Sequence, residues 1–202
     1  MKVFKKIPTI FQFLIWTPMR FLIALRYAVT ISGQENLDLI SPRQGLIIAA
    51  NHESLLDPII IRTSLPLLWS RAPLYYISMP SEEYRHIPFF GRFFGGLLFR
   101  ILGGYPAIKS GGNYKKSLKT HLRILRRRGS VCIFPQGERN HENVRPGVAY
   151  LAQNTNSAIL PVHIVYEKKI AKIIIGQPIS LNKRKGLRRG AEEIMDKVYT
   201  LQ

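Results

Sequence analysis

The sequence predicts an α/β fold in which a mostly parallel or mixed sheet is flanked by helices. Two observations carry this. Runs rich in β-branched or aromatic residues recur along the chain and alternate with stretches of helical periodicity, the pattern of a sheet whose strands are joined through helices. The chain has 202 residues and is 46% hydrophobic, enough for a single domain with a sizeable core. Internal repeats and low-complexity linkers are absent from the sequence.

The first element stands apart. Lys2, Lys5 and Lys6 precede an apolar run from Ile7 to Trp16, which resembles the start of a signal peptide, but no small-residue cleavage site follows. Gln12, Pro18, Arg20 and Arg26 also interrupt the roughly 20 predominantly apolar residues that a spanning helix needs. On a helix, Lys5, Thr9, Gln12 and Arg20 fall on one side, and Phe4, Ile7, Phe11, Leu14, Phe21, Leu22 and Leu25 on the other. Residues 1–27 are therefore expected to form an amphipathic membrane-associating helical segment. Its basic groups would face headgroups and its aromatics acyl chains, with Pro18 kinking the helix or dividing it in two. A helix packed on the core and a transmembrane anchor are the competing readings.

Residues 28–202 are expected to form one domain. Its strands are predicted at residues 28–32, 45–50, 74–78, 105–108, 131–134, 159–165 and 170–176. Helices are predicted between them at 58–65, 91–102, 113–128 and 147–154, with a last one at 187–201. In the 113–128 helix, Leu118, Leu122 and Leu125 make a core stripe, while Lys115, Lys116, Lys119, Arg123, Arg126, Arg127 and Arg128 cover much of the rest. The aromatic and glycine-rich stretch 87–102 reads equally as the lining of an acyl-chain groove or as plain core.

Charge narrows the partners. The chain carries 30 Lys and Arg against 12 Asp and Glu, a formal net charge of +18. Such a field attracts nucleic acid, an anionic membrane surface, or an acidic carrier and its phosphorylated cofactor. A nucleic-acid-binding module would explain the charge, but no binding signature accompanies it. Cys132 is the sole cysteine, which excludes an intrachain disulfide and a cysteine-based zinc site. Within Val131-Cys132-Ile133-Phe134 it reads as a small buried hydrophobe, with nothing local to activate its thiol.

Two segments carry chemistry. Asn51-His52-Glu53-Ser54-Leu55-Leu56-Asp57-Pro58 directly follows a predicted strand, and the carboxyl ends of strands are where α/β folds build sites. On one helix, His52 and Asp57 would lie about 140° apart. They meet only if His52 is in the loop and Asp57 begins the helix, an arrangement Pro58 supports by making Asp57 the N-cap. The bland alternative is a loop histidine and a capping aspartate. The second segment, Ile133-Phe134-Pro135-Gln136-Gly137-Glu138-Arg139, also ends a strand. Its Pro-x-Gly turn exposes backbone amides, and Arg139 offers a guanidinium fork to a phosphate.

Together these segments resemble the glycerolipid (lysophospholipid) acyltransferase family, of the 1-acylglycerol-3-phosphate acyltransferase type. Asn51, His52 and Asp57 meet the family's Asn-His-x4-Asp motif in full. Phe134, Pro135, Gly137 and Arg139 match its Phe-Pro-Glu-Gly-Thr-Arg motif, with Gln136 in place of Glu and Glu138 in place of Thr. The run from Gly104 to Lys109 is similar to a third motif, with Lys109 replacing Arg, and Ile159-Leu160-Pro161-Val162 is similar to a fourth. Arg145-Pro146-Gly147 stands where the family has a basic residue and a Gly before a helix. The likeness runs from about residue 30 to about residue 180 in the family's order.

The resemblance implies direct acyl transfer, with residues 28–202 as the acyltransferase domain. His52 would act as general base, and Asp57 would hold its tautomer. Lys109, Gln136, Gly137, Glu138 and Arg139 would bind the acceptor. The donor would be acyl-ACP or acyl-CoA, the acceptor 1-acylglycerol-3-phosphate, and the product phosphatidic acid in phospholipid biosynthesis. The implied location is the cytoplasmic face of the cell membrane, peripheral or monotopic. No bound cofactor or metal is implied, since His-x4-Asp is not a recognised ligand spacing. The same chemistry on another lysolipid or hydroxyl acceptor is the alternative. A non-catalytic basic membrane-surface protein is the reading from a different class.

Overall fold

The computed structural model describes residues 2–78, 97–108, 113–137, 144–181 and 186–202. Lys109, Glu138 and Arg139, and residues 87–96 of the aromatic and glycine-rich stretch, lie outside the described residues. Strands β1 (Ala28–Ser32), β2 (Leu46–Ala50), β3 (Leu74–Ser78), β4 (Gly104–Pro106), β5 (Ser130–Ile133), β6 (Ala158–Glu167) and β7 (Ile170–Ile175) form one seven-stranded sheet. Its order is β1-β7-β6-β2-β5-β3-β4. Only the β6–β7 pair is antiparallel, so β1 and β7 run against the other five strands. This is the expected mixed α/β sheet.

The helices are α1 (Lys2–Arg26), α2 (Asp57–Ser64), α3 (Leu97–Ile101), α4 (Tyr114–Ser117), α5 (Lys119–Arg126), α6 (Gly147–Thr155) and α7 (Leu187–Tyr199). A 3₁₀ turn at Gln34–Leu37, which the sequence reading did not anticipate, follows β1. The single helix expected at 113–128 is two, broken at Leu118, where the Ser117 carbonyl accepts the amide of Ile108.

The central strand β2 is buried along its whole length and divides the core by alternation. Leu46, Ile48 and Ala50 join Ile60, Ile61, Leu65 and Ile23 on the α1–α2 face. Ile47 and Ala49 join Leu118, Leu122, Leu125, Val148, Leu151 and Ile194 on the α5–α6–α7 face. Two faces covered by helices explain why β2 and β5 read as unbroken apolar runs. The chain leaves β2 across one face toward β3, and leaves β5 across the other toward β6. Between β2 and β5 the connections therefore diverge, which opens a crevice at the carboxyl ends of these strands.

Helix α1 corrects two expectations. It runs unbroken through Pro8 and Pro18, so Pro18 does not divide it. On its polar side, Gln12 and Arg20 face the domain and not headgroups. Gln12 is 2% exposed, and its amide completes the hydrogen bonding at the start of β3. Its Nε2 donates to the carbonyls of Leu74 (2.6 Å) and Leu102 (2.8 Å), while its Oε1 accepts from Leu74 N (3.0 Å) and Arg62 Nε (3.2 Å). Trp16 Nε1 donates to Leu65 O at 3.1 Å, and Arg20 Nη1 to Thr63 O at 2.9 Å. Gln12, Trp16 and Arg20 thus find their partners within the domain. Ile7, Ile10, Phe11, Phe13, Leu14, Phe21, Leu22 and Leu25 are left exposed on the other side.

Replacing Gln12 by Leu is expected to leave the buried backbone groups of Leu74 without partners, at about 1–3 kcal/mol for each stranded group. Thermal unfolding should detect this as a loss of several degrees, at about 2–4 °C per kcal/mol for a chain of this size. An unchanged midpoint would show that α1 is not held through Gln12.

Candidate active site

The backbone leaves β2 at Asn51, and three polar ties fix where it goes. Asn51 is fully buried and bridges to β6: its Nδ2 donates to Ile164 O (2.8 Å) and its Oδ1 accepts from Ile164 N (2.7 Å). That amide also donates to Glu53 Oε1 at 2.9 Å. One residue on, the amide of His52 donates to Gln136 Oε1 at 2.8 Å, which joins the end of β2 to the turn after β5. The imidazole stacks on Phe134 with ring centroids 4.3 Å apart and planes 22° from parallel.

Asp57 is the centre of this arrangement. Its carboxylate has no exposed surface, and Oδ2 accepts from His52 Nδ1 at 2.8 Å. The same oxygen accepts the backbone amides of Glu53 (2.7 Å) and Ser54 (2.8 Å), while Oδ1 accepts the Tyr166 hydroxyl at 2.6 Å. The expectation that His52 sits in the loop and Asp57 on the first turn of the helix holds in the geometry. The expectation that Asp57 is the N-cap does not. Leu56 occupies that position without a side-chain cap bond, and the Asp57 carboxylate turns back onto the loop instead of forward onto the helix. A cap oxygen accepts from the second or third helical amide, but both lone-pair sets here are committed to His52, the loop and β6.

With Asp57 accepting at Nδ1, the neutral imidazole carries its proton there and leaves Nε2 with the lone pair. Among the described residues Nε2 has no hydrogen-bond partner, and the side chain is 18% exposed. Burial, reinforced by the Asp57 carboxylate, pushes the Tyr166 hydroxyl well above the usual phenol range, so it remains a donor. Burial likewise raises the Cys132 thiol far above its ordinary range, which removes it as a nucleophile.

The second segment forms a turn, with Gly137 N donating to Phe134 O at 2.9 Å. Gly137 has φ +74°, a left-handed conformation that glycine adopts without strain. A side chain there would also overlap the guanidinium of Arg145, which lies across the turn while Arg145 N donates to Pro135 O at 2.7 Å. Of the sequence-predicted acceptor residues, the structure therefore brings Gln136 and Gly137 to His52. Lys109, Glu138 and Arg139 are beyond the described residues. Gln136, expected to face substrate, is 7% exposed and uses its carbonyl oxygen to hold the His52 backbone.

Sequence reasoning missed two contributors. Tyr166 gave no signal, because its role depends on β6 lying beside β2. Arg145 did give one, as a basic residue just before the Gly that opens α6, but it was not placed in the site. Among the described residues no group of three or more His, Cys, Asp or Glu side chains is arranged to hold a metal ion.

A His–Asp pair at the carboxyl end of a central strand, with a glycine turn from the next strand beside it, is the architecture of a group-transfer or hydrolytic α/β enzyme. The chain matches the acyltransferase family over residues 28–165 and belongs to it. It is similar to a protein of Mycoplasma genitalium named probable 1-acyl-sn-glycerol-3-phosphate acyltransferase, 24% identical over 136 residues that cover 63% of this chain and 47% of that protein. The chain thus spans about half the length of this relative. It is also 25% identical over 171 residues to the 1-acyl-sn-glycerol-3-phosphate acyltransferase of Bacillus subtilis, covering 80% of this chain and 78% of that one. Its fold resembles the crystal structure of the 1-acyl-sn-glycerophosphate acyltransferase PlsC from Thermotoga maritima. That likeness has a TM-score of 0.58 and 22% identity, across 99% of this chain and 80% of the other.

Asp57→Asn tests the geometry directly. If Asp57 were a cap, asparagine would replace it at little cost, since both rank among the best N-cap residues. Here an amide –NH₂ would confront donors on either side, and about 1–3 kcal/mol of stability should be lost. Thermal or denaturant unfolding of the variant checks this. An undisturbed midpoint would restore the capping reading.

Proposed function

We propose that this protein transfers a fatty acyl chain from acyl-ACP or acyl-CoA to the free hydroxyl of 1-acylglycerol-3-phosphate, giving phosphatidic acid for phospholipid biosynthesis. The observation that carries the reading is the 2.8 Å contact between His52 Nδ1 and a fully buried Asp57 beside the Phe134–Gly137 turn. The family and the names of the two curated relatives support the choice of acceptor.

In this reading His52 Nε2 takes the proton of the acceptor hydroxyl as its oxygen attacks the thioester carbonyl. Asp57 stabilises the imidazolium and keeps the ring in the tautomer that leaves Nε2 basic. The tetrahedral intermediate then collapses, the C–S bond breaks, and the departing thiolate recovers the proton from His52. The acceptor's phosphate is assigned to Arg145 on the Gly137 turn, with Arg139 and Lys109 completing the cationic site. The aromatic ring of Phe134 fixes the plane of the imidazole while reacting groups approach.

The apolar face of α1 supports a peripheral or monotopic place at the membrane, on the cytoplasmic side where the donors are made and anionic headgroups attract a basic protein. Residues 6–26 are long and apolar enough to cross a bilayer by length and composition, with 17% of the apolar window buried. Yet Gln12, Trp16 and Arg20 bind the domain along one side of the helix, which favours a helix lying in the interface with its free face immersed.

Three measurements test the proposal. His52→Ala should lower acyl transfer about a hundred- to ten-thousandfold with an unchanged melting temperature; near-normal turnover by the folded variant would refute the mechanism. Arg145→Ala should cost roughly ten- to two-hundredfold in kcat/KM on 1-acylglycerol-3-phosphate, the value of a hydrogen bond to a charged group. That penalty should largely vanish on a monoacylglycerol lacking phosphate. Equal losses on both acceptors would mean that Arg145 shapes the turn. Finally, Phe11→Glu/Leu14→Glu/Leu25→Glu changes exposed side chains only and should abolish co-sedimentation with anionic vesicles. Retained vesicle binding would place the membrane contact elsewhere.

A further inference from the structure

The basic residues that the sequence puts on the 113–128 stretch are not used by the site around His52. In the structure they line a groove of about 730 Å³ between α4–α5 and α6. Lys115, Lys116, Lys119, Arg123, Arg126 and Arg127 all contribute to its wall, and no Asp or Glu does. Leu118, Leu122 and Leu125 pack into the core, Leu122 also touching the groove, and the exposed side of α5 carries Lys119, Arg123 and Arg126. The six basic residues run from Lys115 on α4, past the break at Leu118, to Arg127 at the end of α5.

Two placements say what such a surface faces. The groove lies on the α5–α6–α7 face of the sheet, whereas α1 with its exposed apolar side lies on the opposite face. A membrane engaged by α1 is therefore separated from the groove by the thickness of the sheet and its helices. The groove also reaches the catalytic edge. The chain enters α4 from the carboxyl end of β4 and enters α6 from the turn after β5, and both strands run in the same direction as β2. Asn113 and Lys115, at the top of the groove, thus lie at the sheet edge that carries His52.

Resting on the acyl-transfer reading above, we infer that the α4–α5–α6 groove docks a small acidic acyl carrier protein, holding it so that its thioester arm reaches over the strand ends to His52. The cations extend over two successive helices, α4 and α5, farther than the clustered phosphates of CoA require, which suits an acidic helix laid against them. The surface faces the soluble side of the molecule, where a carrier protein arrives. Steering by this field would raise the encounter rate and make it salt-sensitive.

The test uses the full chain in detergent and an acyl carrier protein charged with palmitate. Binding is measured by fluorescence anisotropy in the His52→Ala background, where no turnover occurs. Lys119→Glu/Arg123→Glu/Arg126→Glu should weaken carrier binding about tenfold or more and remove its salt dependence. The same charge reversal at Lys168, Lys169 and Lys172, on the β6–β7 hairpin outside the groove, should leave binding close to that of the parent. With active protein, the groove variant should raise KM for the carrier thioester far more than KM for palmitoyl-CoA. Unchanged carrier affinity overturns the inference. So does an equal loss with both donors, which would make the groove a site for CoA phosphates, and so does a loss of vesicle binding, which would make it a membrane contact. If unsubstituted protein acylates nothing with either donor, the acyl-transfer reading falls, while the anisotropy measurement still decides whether the groove binds the carrier.

Discussion

A carboxylate buried without exposed surface must have its charge met by donors, and in this protein that requirement organises the site. Asp57 gathers the imidazole of His52, two successive loop amides and the hydroxyl of Tyr166. Those donors come from the loop after β2 and from β6, so satisfying one carboxylate fixes the path of the chain between strand and helix. Asn51 and Gln136 extend the same logic by tying that loop to β6 and to the turn after β5. The imidazole is therefore held by packing, by its backbone amide and by its Nδ1, with one ring nitrogen left for chemistry. Preorganisation of this kind means that little rearrangement need accompany the proposed proton transfer.

The N-terminal helix inverts the usual relation between a surface helix and its domain. Ordinarily the apolar stripe packs inward and polar groups meet water. Here Gln12, Trp16 and Arg20 bind backbone carbonyls of the domain, and a broad set of Phe, Leu and Ile side chains looks outward. A stripe of that size is unfavourable in water and matches the proposed bilayer contact. Polar attachment has a further consequence. Hydrogen bonds to fixed carbonyls set the helix's rotation, which apolar packing alone would leave looser, so the exposed stripe is presented in one orientation relative to the sheet.

The departures from the family's motifs acquire a physical account at one position. Gln136 stands where the family has Glu, and its amide oxygen accepts the His52 amide as a carboxylate oxygen also could. The neutral side chain performs that tie without adding a second negative charge beside Asp57. Gln136, which its motif position puts on the acceptor side, thus supports the histidine through its amide oxygen. Arg145 is placed by the same turn. Its neighbour Gly137 has room for a guanidinium only because it lacks a side chain, and the left-handed turn brings that guanidinium to the strand ends.

What the sequence determined by itself was whatever depends on local pattern. The strand and helix order, the near-continuous apolar runs of β2 and β5, the strand-end position of His52 and Asp57, and the cationic side of the 113–128 stretch follow from periodicity and spacing of neighbours in the chain. What only the tertiary structure decided involves partners far apart in sequence. Gln12 and Arg20 looked like headgroup-facing residues because a helical wheel cannot show that the start of β3 needs an amide there. Asp57 looked like a cap because the donors that draw its carboxylate backward include Tyr166, on a strand 109 residues away. A charged or polar side chain goes where its hydrogen bonds can be completed, and for buried groups that place is set by which strands the fold lays side by side.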